Sequence, residues 1–255
     1  MNFRYFLYII ICFVSLSFTS CKEQSNLESA EDLTISEGFK NPLGFYDATP
    51  TFSWKLPASE SNKSQSAYQI VVASTLDLLP DNADLWDSEK QESSQSTFVK
   101  YQGEILQSRQ KVYWQVKYWN QNEEASQRSN INFFELGLLN NSDWIAKWTG
   151  LDTAKDSIKG VRKFLMHRPQ YLRKGFDLSS DVKSARLYIT AKGVFDVHLN
   201  GIDVSDDVLT PGWTPYNKRI ETLTYDVTEL LSSGKNAIAV ELASGWHSGR
   251  ISRGT

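Results

Sequence analysis

Alternation with a period of two residues governs most of this chain. Val112, Trp114, Val116 and Tyr118 share one parity, while Gln115 and Lys117 take the other. Tyr68, Ile70 and Val72 repeat the pattern. So do Leu187, Ile189 and Ala191; Phe195, Val197 and Leu199; Leu223, Tyr225 and Val227; and Ile238, Val240 and Leu242. Successive side chains of a strand point to opposite faces, so each run predicts a strand with one apolar face. No stretch of a dozen residues holds a 3.6-residue period. The one helical signal is a short turn within Asp226–Leu231, capped by Asp226 and ended by Gly234. A sheet with one apolar face needs a second sheet to cover it. The expected fold class is therefore all-β, arranged as two consecutive β-sandwiches.

Residues 1–20 read as an export signal rather than as part of a fold. Arg4 precedes an apolar and small-residue run from Tyr8 to Phe18, the length of a signal-peptide core and short for a transmembrane helix. Thr19-Ser20-Cys21 then resembles a bacterial lipobox, which makes Cys21 the expected lipidated residue and mature N-terminus. An ordinary signal peptide with an incidental Cys21 is the alternative. Lys22-Glu23 resembles the charged signal that sends some lipoproteins to the outer face of the outer membrane. The expected location is the cell surface, with the membrane met through the lipid anchor alone. Residues 21–32 are polar and read as a tether. The first sandwich is expected over 33–138 and the second over 171–255. The connecting segment, 139–170, is weakly patterned, and its Trp144 and Trp148 are expected to dock it onto a neighbour.

Composition closes several routes to function. A net charge of −3 offers no electrostatic footprint for nucleic acid. Cys12 and Cys21 are the only cysteines, so the mature sandwiches have no internal disulfide and no thiolate metal site. His167, His198 and His247 do not stand at zinc-binding spacings. Asn200-Gly201, set between Phe195–Leu199 and Ile202–Val204, calls for a type I′ hairpin turn, because both residues accept positive φ.

The second half also carries a specific string. Tyr171-Leu-Arg-Lys-Gly-Phe176 is followed by Ala191-Lys-Gly-Val-Phe-Asp-Val-His-Leu-Asn-Gly201. Then come Asp207-Val-Leu-Thr-Pro-Gly-Trp-Thr-Pro-Tyr-Asn-Lys-Arg219, Tyr225-Asp-Val-Thr228, Gly234-Lys-Asn-Ala237 and Gly245-Trp246. In order and spacing this resembles the N-terminal carbohydrate-binding jelly roll of bacterial α-L-rhamnosidases. Trp54, Ala67-Tyr-Gln-Ile70, Leu85-Trp-Asp-Ser88 and Tyr113-Trp-Gln-Val116 resemble that family's leading fibronectin-III-like domain. The resemblance implies accessory domains of a glycoside hydrolase that meets rhamnose-containing glycans. The family's inverting helical barrel would lie downstream, so no residue here inherits a catalytic role. The jelly roll is expected to be incomplete at its C-terminus, and the catalytic domain is an expected partner, covalent or separate.

A sugar ring has an apolar face and a rim of hydroxyls, so its site wants a flat aromatic beside fixed polar groups. Trp213 in Pro211-Gly-Trp, Tyr216, and Trp246 after Ser244-Gly245 are loop aromatics that fit this need; core packing is the competing reading of each. Asn200 can donate and accept, although turn geometry alone accounts for it. Arg219 and Arg250 can bracket hydroxyls or carboxylates. In the resembled module rhamnose is held partly through a bound Ca²⁺. Here Asp206 and Asp207 are the candidate calcium ligands; a solvated acidic pair is the alternative. A different class remains open, a surface adhesion or structural sandwich pair with no sugar site. It predicts that Trp213 and Trp246 are buried and that no concave aromatic surface exists.

Overall fold

The computed structural model describes residues 27–151, 157–159 and 165–248. The export segment, Cys21 and Arg250 lie outside the described residues. The first sandwich is built from β1 (Glu31–Ile35), β2 (Leu43–Phe45), β3 (Thr51–Lys55), β4 (Gln65–Ala73), β5 (Trp86–Asp87), β6 (Gln91–Glu92), β7 (Val99–Lys100), β8 (Lys111–Asn120) and β9 (Asn132–Leu136). One sheet has the order β1-β3-β7. The other runs β2-β9-β8-β4-β5, with β6 also on β4. All these pairings are antiparallel except β2 with β9, which is parallel.

The alternation predicted for Lys111–Asn120 is realised residue by residue, with every second side chain buried. Register explains the core. Ile70 lies opposite Val116 and Val72 opposite Trp114, so the apolar parities of β4 and β8 share one face. Phe52, Trp54, Trp114, Tyr118 and Phe134 fill the space between the sheets with essentially no exposure. The Trp54 indole N–H donates to Gln65 Oε1 at 2.9 Å, and the Gln65 amide donates in turn to the carbonyls of Ser93 and Gln95. Burying Trp54 therefore leaves its N–H satisfied.

The connecting segment contains a hairpin of β10 (Ser157–Lys159) and β11 (Leu165–His167). Strands of three residues are too short to show a period, which is why alternation did not reveal them. Next come β12 (Gln170–Leu178), β13 (Arg186–Ile189), β14 (Val194–Leu199), β15 (Ile202–Asp203), β16 (Leu223–Asp226) and β17 (Gly234–Ala243). A single helical turn, α1, spans Gly245–Ser248. One sheet has the order β12-β17-β14-β15, and β13 pairs with β16 in the other.

Asn200 and Gly201 have φ of 52° and 83°, so the left-handed turn called for by Asn-Gly joins β14 to β15. The expected helical turn after Asp226 is a 3₁₀ turn over Thr228–Leu230. Asp226 Oδ1 accepts the Thr228 backbone N–H at 3.1 Å and its hydroxyl at 2.6 Å.

A buried ion pair joins the sandwiches. Arg186, at the start of β13, reaches Glu135 on β9 with two parallel bonds, Nε to Oε1 and Nη2 to Oε2, both 2.8 Å. The side chains are 14% and 6% exposed, and Asp226 adds a 2.9 Å contact to Arg186 Nη1. The carboxylate beside it holds the Arg186 guanidinium above even its ordinary high pKa. Gly44 completes the seam: a Cβ there would stand 2.3 Å from Thr224 Oγ1, so only glycine lets β2 approach β16 this closely.

Candidate functional site

The second sandwich has a thin core. Ala191, Phe195 and Val197 are its buried centre, and half-buried residues such as Leu187, Ile189, Val240 and Leu242 pack around them. Register again sets the face: Phe195 lies opposite Leu242, Val197 opposite Val240, and Leu199 opposite Ile238. β12 continues that face less well, placing Gln170, Leu172 and Lys174 opposite Leu242, Val240 and Ile238. Toward β12 the apolar face is left open, and there it floors a cavity of about 900 Å³.

Aromatic side chains from two loops and a strand wall this cavity. Trp144 and Trp148 come from the segment after the first sandwich, Tyr216 from the loop before β16, and Tyr188 from β13. Trp148 is 64% exposed, and Lys192 Nζ of the second sandwich stands 5.3 Å from its ring centroid. Trp144 is half-buried. The Tyr216 ring meets His247 edge-on at 5.2 Å, and its buried hydroxyl has no hydrogen-bond partner among the described residues. Burial pushes the Tyr188 phenol up, and the nearby Glu135 adds to the shift, so it remains a neutral donor at ordinary pH. Asn141, Asn217 and Thr190 add amide and hydroxyl groups to the wall. An apolar floor, flat rings and a sparse polar rim can hold a small amphipathic ring system.

The residues singled out in the sequence fall in different places. Tyr216 and Arg219 line the cavity. Trp213 is 57% exposed on a loop anchored where Phe195 N–H donates to the Thr210 carbonyl at 2.8 Å, but it does not line the cavity. Trp246 is half-buried in α1 and also stands outside the lining. The Asn200 amide is taken up by the fold: it donates to Leu230 O and Asn236 Oδ1, and its oxygen accepts Ala237 N–H at 2.8 Å. Asp206 and Asp207 are exposed, and Asp207 Oδ2 accepts the Tyr225 hydroxyl at 3.0 Å. Calcium takes six to eight oxygen ligands. Among the described residues no three His, Cys, Asp or Glu side chains converge on this acidic pair.

Sequence reading missed Trp144, Trp148 and Lys192 as site residues. The available signal was two tryptophans in a segment with no strand parity to bury them.

Comparisons with known proteins place both halves. Residues 30–140 match the family model described as the Rha78A-like, N-terminal immunoglobulin domain, and residues 180–255 match the alpha-L-rhamnosidase N-terminal domain. An alpha-L-rhamnosidase of Formosa agariphila is 65% identical over 98% of this chain, and one of an Alteromonas species is 50% identical over 91%. The chain spans 27% and 26% of those relatives' lengths. Two solved structures agree in fold. The alpha-L-rhamnosidase from Dictyoglumus thermophilum has a TM-score of 0.80 at 37% identity, over 88% of this chain and 26% of that one. The enzyme from Aspergillus terreus has a TM-score of 0.72 at 32% identity, over 88% and 25%.

Proposed function

We propose that this chain, which corresponds to the N-terminal region of α-L-rhamnosidases with an immunoglobulin-like domain followed by the α-L-rhamnosidase N-terminal domain, binds and positions rhamnose-containing glycans without cleaving them. The observation that carries this reading is the aromatic-walled cavity in the second sandwich. Its apolar floor suits the hydrophobic face and methyl group of rhamnose, and Trp148 offers an accessible ring for stacking. Inverting hydrolysis needs two carboxylates about 6.5–9.5 Å apart across the scissile bond. Among the described residues, the cavity lining contains no carboxylate. Cleavage would fall to the part of the relatives that this chain does not span, with these domains presenting the glycan. A purely structural sandwich pair fits less well, since Trp213 is exposed, Trp246 is only half-buried and a concave aromatic surface is present.

Titration calorimetry of the chain with L-rhamnose is expected to give saturable heat, and Trp148→Ala is expected to weaken binding about tenfold through loss of one stacking face. No heat from a folded chain, or unchanged affinity in the variant, would overturn the assignment of the cavity.

The proposal extends to location. Cys21, behind its apolar leader, carries a lipid that tethers the sandwiches to the outer membrane through the polar stretch between Cys21 and Leu27, which is already buried in the first sandwich. Metabolic labelling with an alkyne fatty acid is expected to mark the wild-type chain and to miss Cys21→Ala, which would leave the membrane fraction. Equal labelling of both would overturn the anchor.

A further inference from the structure

We infer that the cavity selects an anionic saccharide, one whose charge is a carboxylate or a sulfate ester. This deepens, and rests on, the reading of the cavity as a sugar site. The chain has more acids than bases, 30 against 27, so an unselected patch of its surface would mix both signs. The cavity does not. Lys147, Lys192, Lys218 and Arg219 line it together, drawn from three separate segments, and among the described residues no Asp or Glu joins them.

Some cations elsewhere are neutralised. Lys40 and Lys55 share Asp32, Lys90 meets Glu92 at 2.7 Å, and Arg186 is held by Glu135 and Asp226. Among the described residues, no salt bridge engages any of the four cavity cations. A cleft lined by one sign of charge over a low-dielectric floor concentrates its field and raises the local concentration of the opposite ion. The cations are interleaved with rings: Lys147 is next to Trp148 in sequence, Lys192 lies over Trp148, and Lys218 and Arg219 follow Tyr216. A bare anion has no use for the rings, and a neutral sugar has no use for four uncompensated cations. A saccharide bearing a negative group uses both, with its ring against the aromatics and its charge toward the ammonium and guanidinium groups.

Calorimetry on the chain distinguishes the possibilities with five probes: L-rhamnose, a rhamnosyl uronic acid disaccharide, the same disaccharide with its carboxyl reduced to an alcohol, a sulfated rhamnose, and inorganic sulfate. The uronate or the sulfate ester is expected to bind at least about tenfold tighter than the neutral sugars, with most of that margin lost at 0.5 M salt, where screening shortens to a few ångströms. The four cations are solvent-exposed, so Lys147→Gln with Lys218→Gln is expected to leave the fold intact. It is also expected to reduce the anionic preference, read as the affinity ratio of the uronate to its reduced counterpart, to about threefold or less.

Whichever charged probe binds tighter identifies the source of the charge. Equal affinity for the uronate, its reduced counterpart and the sulfated sugar would overturn the anionic selection while leaving the rhamnose reading standing. Inorganic sulfate binding as tightly as the charged sugars would overturn the saccharide. Silence from every probe would overturn both readings.

Discussion

Arg186→Ala is expected to destabilise the chain by about 3–5 kcal/mol, the usual consequence of stripping one partner from a buried ion pair. The magnitude follows from what remains. Glu135 is 6% exposed, and its two oxygens each lose a 2.8 Å charge-assisted bond. Glu135→Gln is expected to fall in the same direction with a smaller loss, since the amide keeps the shape and one acceptor and leaves the guanidinium with Asp226 as its remaining counter-charge. Replacing both residues with apolar ones of similar volume is expected to recover most of the loss, because neither charge is then left alone. Denaturant unfolding of the single and double variants measures all three. A single variant within about 1 kcal/mol of wild type would mean that solvent already screens the pair.

The second large effect is expected from Phe52→Ala, at about 3–5 kcal/mol. Phe52 is fully buried among four other rings, with Trp114 at 4.6 Å and Trp86, Tyr101 and Phe134 within 6.4 Å. Rings anchored on two sheets cannot collapse inward to fill a hole of that size, so most of the cavity penalty is retained. The matching variant in the second sandwich, Phe195→Ala, is expected near the lower end of that range. Phe195 borders the open cavity, and the space it vacates joins a volume that solvent already reaches. Thermal unfolding of the two variants side by side tests the contrast. Equal losses would mean that the second core is as closed as the first.

The strands with the cleanest period were legible in advance, and for a physical reason. β8 separates a packed core from solvent along ten residues, so its sequence has to alternate. The Asn200-Gly201 turn was legible because left-handed backbone admits few residue types. What escaped was non-local. Arg186 and Glu135 stand 51 residues apart and read in sequence as two solvated charges. The cations of the cavity come from positions 147, 192, 218 and 219, and only the docking of the segment after β9 against the second sandwich brings them together. Loop aromatics are ambiguous for the same reason. Nothing in the sequence alone separates Tyr216, which lines the cavity, from Trp213, which faces solvent beside it in the chain. Asn200 shows the opposite failure, since a residue with free-looking hydrogen-bonding capacity proves to be fully used by its own fold.

The parallel pairing of β2 with β9 has a consequence for how the chain is made. Leu43 and Phe45 emerge first, yet their partners Glu135 and Leu136 stand at the far end of the same sandwich. A chain delivered vectorially from its N-terminus cannot close this sheet until the last strand of the domain has arrived. Pairings of such long sequence separation form slowly. Glu135 is also the residue that receives Arg186. The receptor for the second sandwich is therefore assembled only when the first is zipped shut, and synthesis order and docking order coincide.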